Sequence, residues 1–186
     1  MTNPTNDTTI ITTNIFKLLK ENLLTKRMSN RVTELQKEFV YYTSSLFDQG
    51  ILNDQFNHLQ LLQDESNPEF LAEIVNLFFQ DTQKLLDDLT KNLEQENVDF
   101  LMLDKTLHHI KGSSSSIGAV GVQNACVAFV TCSNEKNIEG CWRCLEEARN
   151  AYNVVRSKLD TLLKIEQEIV AAGGSIPKPS VEPDEE

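Results

Sequence analysis

The sequence predicts an all-α protein, built as an antiparallel four-helix bundle with additional N-terminal helices. Apolar residues recur at the three- and four-residue spacing of amphipathic helices along almost the whole chain, and no run alternates at the two-residue period of a strand. Glycines, prolines and short polar stretches divide this pattern into segments of helix length. Long helices joined by short connections favour antiparallel packing of neighbouring helices.

Three ranges are predicted to differ in organisation. Residues 1–27 are an N-terminal extension, of which 1–13 are rich in Thr and Asn and are expected to be disordered. A short amphipathic helix is predicted after them by Ile15, Leu18, Leu19 and Leu23. Residues 28–174 form the helical-bundle domain. Residues 175–186 contain three prolines and four acidic residues and are predicted to be an acidic, disordered tail.

Two helices precede the bundle proper. The first is predicted over about 30–47 and ends before Gly50, because glycine commonly terminates helices. Its apolar positions are Val32, Leu35, Phe39, Tyr42 and Leu46. A shorter helix follows Asn53, which suits the N-cap position. Its apolar positions are Phe56, Leu59 and Leu62.

The bundle helices are predicted over 68–95, 100–117, 122–136 and 138–170. The first begins with Asn67 as N-cap and Pro68 at the first helical position, and it is predicted to bury Phe70, Ile74, Leu77, Phe78, Leu85 and Leu89. Gly118 and Gly121 bracket the turn before the third helix, whose apolar positions are Ala125, Val127, Phe129 and Val130. The last helix is predicted to bury Leu145, Ala148, Tyr152, Val155, Leu159, Leu162 and Ile169.

Composition excludes several classes of function. A chain of 186 residues with 40% hydrophobic residues fits a single domain with one core. A net charge of -11 argues against direct binding to nucleic acid or to an anionic membrane, since both require clustered Lys and Arg. No stretch approaches the ~20 apolar residues of a membrane-spanning helix, and the start does not resemble a secretory signal. We therefore expect a soluble intracellular protein.

The four cysteines are few for this length and fit reduced thiols inside a cell. Cys141 and Cys144 have the C-x-x-C spacing of redox and zinc sites, but no strand precedes them and no histidine pair is nearby. We expect all four, Cys126, Cys132, Cys141 and Cys144, to be packed thiols, and we predict no metal site.

The most informative stretch is 107–119, which reads LHHIKGSSSSIGA. At ~100° per residue one sector of this helix is apolar or small and is predicted to be buried; it contains Leu103, Leu107, Ile110, Ser114 and Ile117. His108 lies roughly opposite that sector. Around it on the same surface lie Leu101, Asp104, Lys105, Lys111, Gly112 and Ser115.

This arrangement suits an imidazole that carries a phosphoryl group. With an ordinary pKa near ~6.5 the ring is mostly neutral, so a ring nitrogen can attack phosphorus without a strong base beside it. Lys111 can offset part of the new charge, and Gly112 leaves room for a docking protein although glycine costs a helix about 1 kcal/mol. His109 is less suitable, because its neighbours one turn on are Gly112 and Ser113 and include no cation.

The alternative is an ordinary surface histidine, which is the commoner explanation for a single exposed His. Lys111 and Gly112 at helical spacing argue against it. So does the run of four serines, 113–116, which helix propensity does not favour.

Residues 108–112 fit the pattern His-x-x-Lys-Gly, and the chain resembles plant histidine-containing phosphotransfer proteins, the intermediates of multistep two-component relays. The resemblance covers about 28–174 and includes the segments 45–52, 61–68, 77–81 and 124–126. Two features depart from the family pattern. Family members usually have Gln at the position of His109, and residues 1–27 have no counterpart.

The resemblance implies a phosphocarrier without autonomous catalysis. His108 would accept a phosphoryl group from the receiver-domain aspartate of a hybrid sensor histidine kinase and pass it to response-regulator receiver domains, in cytokinin signalling. Lys111 would give electrostatic support and Gly112 steric access, with Lys105, His109 and Ser115 as neighbours. The partner receiver would supply Mg²⁺, so the chain needs no cofactor of its own. We expect a monomer found in cytoplasm and nucleus.

One surface must serve donor and recipient in turn, so we expect a small, transient interface with an apolar centre. The docking residues are predicted to be the exposed members of the second helix and the surface flanking His108: Phe56, Leu59, Gln63, Asp81, Leu101, Lys105, Lys111 and Ser115. Each apolar member has a core position as its alternative, and each charged member a merely solubilising role.

Two rival functions remain. The first is an interaction protein that binds receivers and competes with active carriers without passing on phosphate; the presence of His108 argues against it. The second is the phosphoacceptor half of a histidine kinase, which would need an ATP-binding domain; this sequence has no glycine-rich nucleotide loop.

Overall fold

The computed structural model describes residues 4–64 and 66–179. Its helices are, in chain order, α1 (Pro4–Asp48), α2 (Asp54–Leu61), α3 (Phe70–Leu93), α4 (Phe100–Ile117), α5 (Val120–Asn134) and α6 (Ile138–Ala171). No strand occurs in these ranges, where extended pairing is limited to isolated bridges between Leu52 and Ala119 and between Asp64 and Asn67. The predicted all-α class is confirmed.

The larger of two compact units contains Tyr41–Lys164. In it α3, α4, α5 and the first part of α6 pack around a core that includes Phe56, Leu86, Leu103, Phe129 and Tyr152. Polar contacts tie α6 to α3: the Tyr152 hydroxyl donates to the Phe79 carbonyl at 2.9 Å, and Arg149 Nη2 donates to Asp87 Oδ1 at 2.8 Å. The predicted helical bundle is confirmed.

The other unit contains the chain up to Val40 together with Ile165–Pro177. Its buried apolar side chains are Leu35, Phe39, Ile165 and Ile169. On its surface Arg31 Nη2 and Glu168 Oε2 form an ion pair at 3.0 Å. Gln36 Nε2 donates to the Ser175 carbonyl at 2.8 Å, which holds the chain just after the end of α6.

The predicted organisation of the N-terminal region is wrong. We expected disorder over 1–13 and then two separate helices, whereas α1 runs without interruption from Pro4 to Asp48. The physical reason is that no glycine or proline occurs between Pro4 and Gly50, so nothing in the sequence ends the helix earlier. The helix ends where predicted, before Gly50 at φ +64°. Residues 1–3 lie outside the described residues.

Leu18, Leu19 and Leu23 of the predicted short helix are exposed on α1. Of the predicted tail, residues 175–179 have no helix or strand, and residues 180–186 lie outside the described part of the chain. None of the described helices combines the length and apolar character needed to span a membrane.

The start of α3 also differs from the prediction. Asn67 and Pro68 precede the helix, which begins at Phe70. Asp64 Oδ1 accepts hydrogen bonds from the backbone N–H groups of Ser66 at 2.8 Å and Asn67 at 3.1 Å. These bonds form a turn over 64–67 that includes the predicted N-cap. A second turn follows, in which the Phe70 N–H donates to the Asn67 carbonyl at 3.4 Å, so the helix begins two residues later than predicted.

The buried face of α3 differs from the predicted face by a rotation of about 100° around the helix axis, which corresponds to one residue. Its buried apolar residues are Leu71, Val75, Phe78, Phe79, Leu86, Leu89 and Leu93. Phe70, Ile74 and Leu85 are half-buried and Leu77 is 54% exposed. Apolar residues stand side by side along this helix, so spacing alone allows two stripes about 100° apart.

The remaining helices agree with the prediction except at a few positions. Asn53 caps α2, its side chain accepting from the Gln55 N–H, but Leu62 lies at the C-cap and is exposed. The α5 helix begins at Val120, so Gly121 lies within it, and Val127 is 49% exposed. The seven core positions predicted for α6 are all buried.

Candidate functional site

The start of α4 is fixed by two capping arrangements. Asp99 is the N-cap, and its Oδ1 accepts a hydrogen bond from the Met102 N–H at 3.0 Å. The buried side chain of Asn92, at the end of α3, bonds both backbone groups of Asp99. The register of α4 against α3 is therefore set before the helix begins.

The end of α4 is fixed by Gly118. This residue has φ +78°, and a Cβ built on it would lie 2.7 Å from Asn53 Oδ1, so a side chain there would be both strained and obstructed. The Asn53 N–H donates to the Gly118 carbonyl at 3.0 Å, and the Val120 N–H donates to the Ile51 carbonyl at 3.2 Å. The turn after α4 is thereby held against the segment that starts α2.

The predicted buried face of α4 is confirmed. At most 2% of each of its five residues is exposed, namely Leu103, Leu107, Ile110, Ser114 and Ile117. The serines are accommodated by bonding to their own helix: Ser113 and Ser114 Oγ donate to the Ile110 carbonyl, and Ser116 Oγ donates to the Gly112 carbonyl.

The opposite face of α4 is open to solvent. His108 is exposed, and its imidazole has no hydrogen bond or ion pair with any residue of 4–64 or 66–179. Lys111 lies one turn towards the C-terminus and Lys105 one turn towards the N-terminus, and both ammonium groups are exposed. Neither has an ion-pair partner in the described chain, so their positive charge is available to a ligand on His108.

Gly112 leaves free space beside His108. A Cβ built at this position would meet nothing within 4 Å. The packing of the described chain therefore does not require glycine here, although glycine lowers helix stability. Space for an approaching molecule is the remaining steric reason for the residue.

Ser115 differs from the other three serines. Its Oγ accepts a hydrogen bond from Gln123 Nε2 at 2.8 Å, which joins α4 to α5 on the side of α4 that carries His108. Gln123 was not among the predicted site residues, because a contact across a turn leaves no periodic pattern in the sequence. The Ser115 hydroxyl proton remains free to donate.

The Lys111 charge also reaches α5. Burial raises the pKa of the Cys126 thiol to about 12, and the Lys111 ammonium opposes this rise only in part. His109, like His108, is exposed, and its imidazole has no hydrogen bond or ion pair with the described residues.

The predicted docking residues do not all have the exposure that docking requires. Phe56 is fully buried and Leu59 is 8% exposed, so the expectation that they are exposed is wrong. Asn53 fixes the residue at which α2 begins, and with this start the side chains of Phe56 and Leu59 both point into the core.

Gln63 is half-buried, and its Oε1 accepts a hydrogen bond from the Leu71 N–H at 2.9 Å, which satisfies a backbone N–H of the first turn of α3. Asp81 is exposed on α3 and Leu101 on α4, where 66% of Leu101 is accessible.

No group of three or more His, Cys, Asp or Glu residues in the described ranges is placed to hold a metal ion. The face of α4 around His108 presents an unpaired imidazole, flanking ammonium groups, a gap at Gly112 and an apolar residue at Leu101, and His109 places a second unpaired imidazole about 100° away. Chemically it can present a nucleophilic nitrogen to an electrophile held by another molecule.

Comparison with known proteins identifies similar chains. The model of the Hpt domain matches residues 73–164. Histidine-containing phosphotransfer protein 1 of Arabidopsis thaliana is 51% identical over 78% of this chain and 95% of its own. Pseudo histidine-containing phosphotransfer protein 2 of Oryza sativa subsp. japonica is 36% identical over 74% of this chain and 91% of its own. The crystal structure of a histidine-containing phosphotransfer protein from Medicago truncatula superposes with a TM-score of 0.71 at 40% identity, covering 76% of this chain and 96% of that one.

Proposed function

The chain belongs to the family of plant histidine-containing phosphotransfer proteins, and from this membership we propose that His108 is its phosphoacceptor. His108 and His109 are both exposed on a helix fixed at both ends, and no described residue bonds either ring. The single observation that supports His108 most strongly is that Lys111 and Gly112 lie one turn on from it, whereas Gly112 and Ser113, with no cation, lie one turn on from His109. A nucleophile positioned in this way needs no rearrangement before it meets a partner.

The proposed reaction is a reversible transfer between two protein side chains. A nitrogen of the neutral His108 ring attacks the phosphorus of an aspartyl phosphate on a receiver domain. The P–N bond forms as the P–O bond to the aspartate breaks, and the leaving carboxylate remains on the receiver. The receiver supplies Mg²⁺ and the groups that stabilise the in-line transition state, so this chain acts as a carrier without a cofactor or autonomous catalysis of its own.

Lys111 and Gly112 assist this transfer in different ways. The ammonium of Lys111 lies one helical turn from His108 and offsets charge on the bound phosphoryl group. The missing side chain at Gly112 allows the partner surface to come close enough for in-line attack. Lys105, His109 and Ser115 complete the surface around the acceptor.

The proposed partners are receiver domains of hybrid sensor histidine kinases as donors and of response regulators as recipients. The carrier works as a monomer in cytokinin signalling, moving between cytoplasm and nucleus. Family membership supports this role, and the acidic character of the chain, with a net charge of -11, supports protein partners over nucleic acid or anionic membrane.

A second candidate function is suggested by the relatives, which include a pseudo histidine-containing phosphotransfer protein as well as histidine-containing phosphotransfer proteins. A receiver-binding competitor would use the same surface without carrying phosphate. The free imidazole of His108 favours the carrier, since a competitor has no use for an unpaired nucleophile at the centre of its docking surface.

The test is to incubate the full chain with a phosphorylated receiver domain and Mg²⁺ and to map the acid-labile phosphate by mass spectrometry. We expect phosphate on His108, and none in the His108→Gln variant. His109→Gln is the matched control, because it removes an adjacent exposed imidazole and should leave transfer unchanged. Phosphate on His109, or receiver binding without any phosphohistidine in the wild type, would overturn the proposal.

A further inference from the structure

Three of the four cysteines lie close to the turn between α5 and α6. Cys132 is in the last turn of α5, and Cys141 and Cys144 are in the first turns of α6. The Sγ atoms of Cys132 and Cys144 are 3.7 Å apart, and both thiols are free. A disulfide needs about 2.05 Å between sulfurs, so a small side-chain movement would suffice to form the bond.

The short connection holds these two sulfurs in place. Lys136 has φ 54°, an unusual left-handed conformation for a residue other than glycine, and it turns the chain sharply after α5. Asn137 then caps α6, its Oδ1 accepting a hydrogen bond from the Gly140 N–H at 2.9 Å. A Cβ at Gly140 would lie 2.8 Å from Cys132 Sγ, so the absence of a side chain there gives the Cys132 sulfur its position against α6.

The thiols differ in their access to solvent. Cys132 is half-buried, whereas 8% of Cys144 is exposed and Cys141 is fully buried. Burial, followed by the hydrogen bond with Cys132, raises the pKa of Cys144 to about 11, which keeps it a thiol. A small oxidant from solvent therefore meets the Cys132 sulfur first.

We propose that Cys132 and Cys144 form an oxidative modification site, at which a hydroperoxide converts them into an intramolecular disulfide that joins α5 to α6. The relay chemistry at His108 does not use these residues, and the inference is independent of it. The C-x-x-C spacing points to Cys141 as the partner of Cys144, but the sulfur that contacts Cys144 belongs to Cys132, on the neighbouring helix.

Oxidation of the two thiols takes two steps. The Cys132 sulfur attacks one oxygen of hydrogen peroxide and breaks the O–O bond, giving a sulfenic acid and water. The Cys144 sulfur then attacks the Cys132 sulfur, and the sulfenic hydroxyl leaves with the Cys144 proton as a second water. Two thiols are oxidised by two electrons in total, and one peroxide is reduced to two waters.

The experiment treats the full, reduced chain with hydrogen peroxide, blocks remaining thiols by alkylation, and analyses non-reduced peptides by mass spectrometry. We expect a linked peptide containing Cys132 and Cys144, a loss of about two alkylatable thiols per chain, and full recovery with dithiothreitol. Cys126→Ser is the matched control. Cys126 is fully buried on α5, so its replacement should leave the bridge unchanged.

Two further variants separate the steps. In Cys144→Ser we expect a sulfenic acid on Cys132 that dimedone traps, and in Cys132→Ser we expect Cys144 to remain alkylatable after unfolding. Circular dichroism of each reduced variant checks that the helices are intact. A bridge from Cys132 to Cys141, a disulfide between two chains, or sulfinic acid on Cys132 without any bridge would overturn the proposal.

Discussion

The side-chain amide of Asn92 makes two hydrogen bonds to the backbone of Asp99. Asn92 Nδ2 donates to the Asp99 carbonyl at 2.8 Å, and the Asp99 N–H donates to Asn92 Oδ1 at 2.9 Å. Only 2% of Asn92 is exposed, so its amide is shielded from water and depends on these two bonds. Through this pair the end of α3 sets where α4 begins, and with it the position of His108 on the bundle surface.

Replacing Asn92 should therefore destabilise the protein. Asn92→Ala removes both side-chain bonds to Asp99: the Asp99 N–H loses its partner, whereas the Asp99 carbonyl keeps the hydrogen bond from the Leu103 N–H at 3.0 Å. We expect the free energy of unfolding to fall by about 1–2 kcal/mol. Urea denaturation followed by circular dichroism measures this change. Asn97→Ala, an exposed asparagine in the same connection, is the control and should change stability by less than about 0.5 kcal/mol. Equal stability of the two variants would contradict the role given to Asn92.

Gly112 should show opposite effects on stability and on docking. Since a Cβ there meets nothing within 4 Å, Gly112→Ala should raise the free energy of unfolding by about 1 kcal/mol, the helix preference of alanine over glycine. Gly112→Trp should weaken receiver binding about tenfold or more, because the indole would occupy the space left for the partner. Calorimetric titration measures the affinity, with Asn150→Trp at an exposed position of α6 as control. Undiminished binding by Gly112→Trp would refute the steric argument.

Sequence periodicity predicted the fold where each helix has a single apolar stripe. The buried face of α4 and all seven predicted core positions of α6 follow this rule. It failed for α3, where adjacent apolar residues such as Ile74 and Val75 define two stripes, and only tertiary packing selects the one that is buried. It also failed for α1, since the absence of Gly and Pro was a better guide to helix length than polar composition.

The part of the candidate site that lies within one helix was predictable from the sequence, whereas the contacts between helices were not. The exposed positions of His108, Lys111 and Gly112 follow from helical spacing within α4 alone. The residues that hold this helix come from other elements, and their contacts depend on how distant segments meet. Asn92 could have been noticed in the sequence, because it is a polar residue at a buried position of an apolar helix. Nothing in the sequence indicates the contact of Gln123 with Ser115.

Lys111 should matter for phosphate and not for folding. Its ammonium is exposed and has no ion-pair partner in the described chain, so Lys111→Ala should leave the circular dichroism signal unchanged. We expect phosphoryl transfer to be roughly three- to tenfold slower, or the phosphohistidine lifetime to be shorter by the same factor. This range corresponds to the loss of one exposed charge interaction of about 1 kcal/mol. Lys111→Arg keeps the charge and should retain most of the activity, and Lys84→Ala removes an exposed cation from α3 as a control. Wild-type kinetics in Lys111→Ala would remove this residue from the site.

The ion pair between Asp87 and Arg149 should make stability depend on pH. The hydrogen bond from Arg149 lowers the pKa of Asp87 below its usual 3.8, and slight burial opposes this shift. Because the folded pKa is depressed, the stabilisation is complete above the unfolded pKa and is lost as the pH falls through the folded one.

Asp87→Asn should therefore lower the free energy of unfolding near pH 7 by up to about 1 kcal/mol, a modest value because Asp87 is 47% exposed. The difference from wild type should shrink below the usual pKa of 3.8 as the carboxylate takes up its proton. Urea titrations at several pH values measure both effects. Asp88→Asn, which removes the longer ion pair to Lys91, a residue with 72% of its side chain exposed, should show a smaller difference. A wild-type advantage that stays constant into strong acid would mean that hydrogen-bond geometry, and not the charge of Asp87, holds Arg149 against α3.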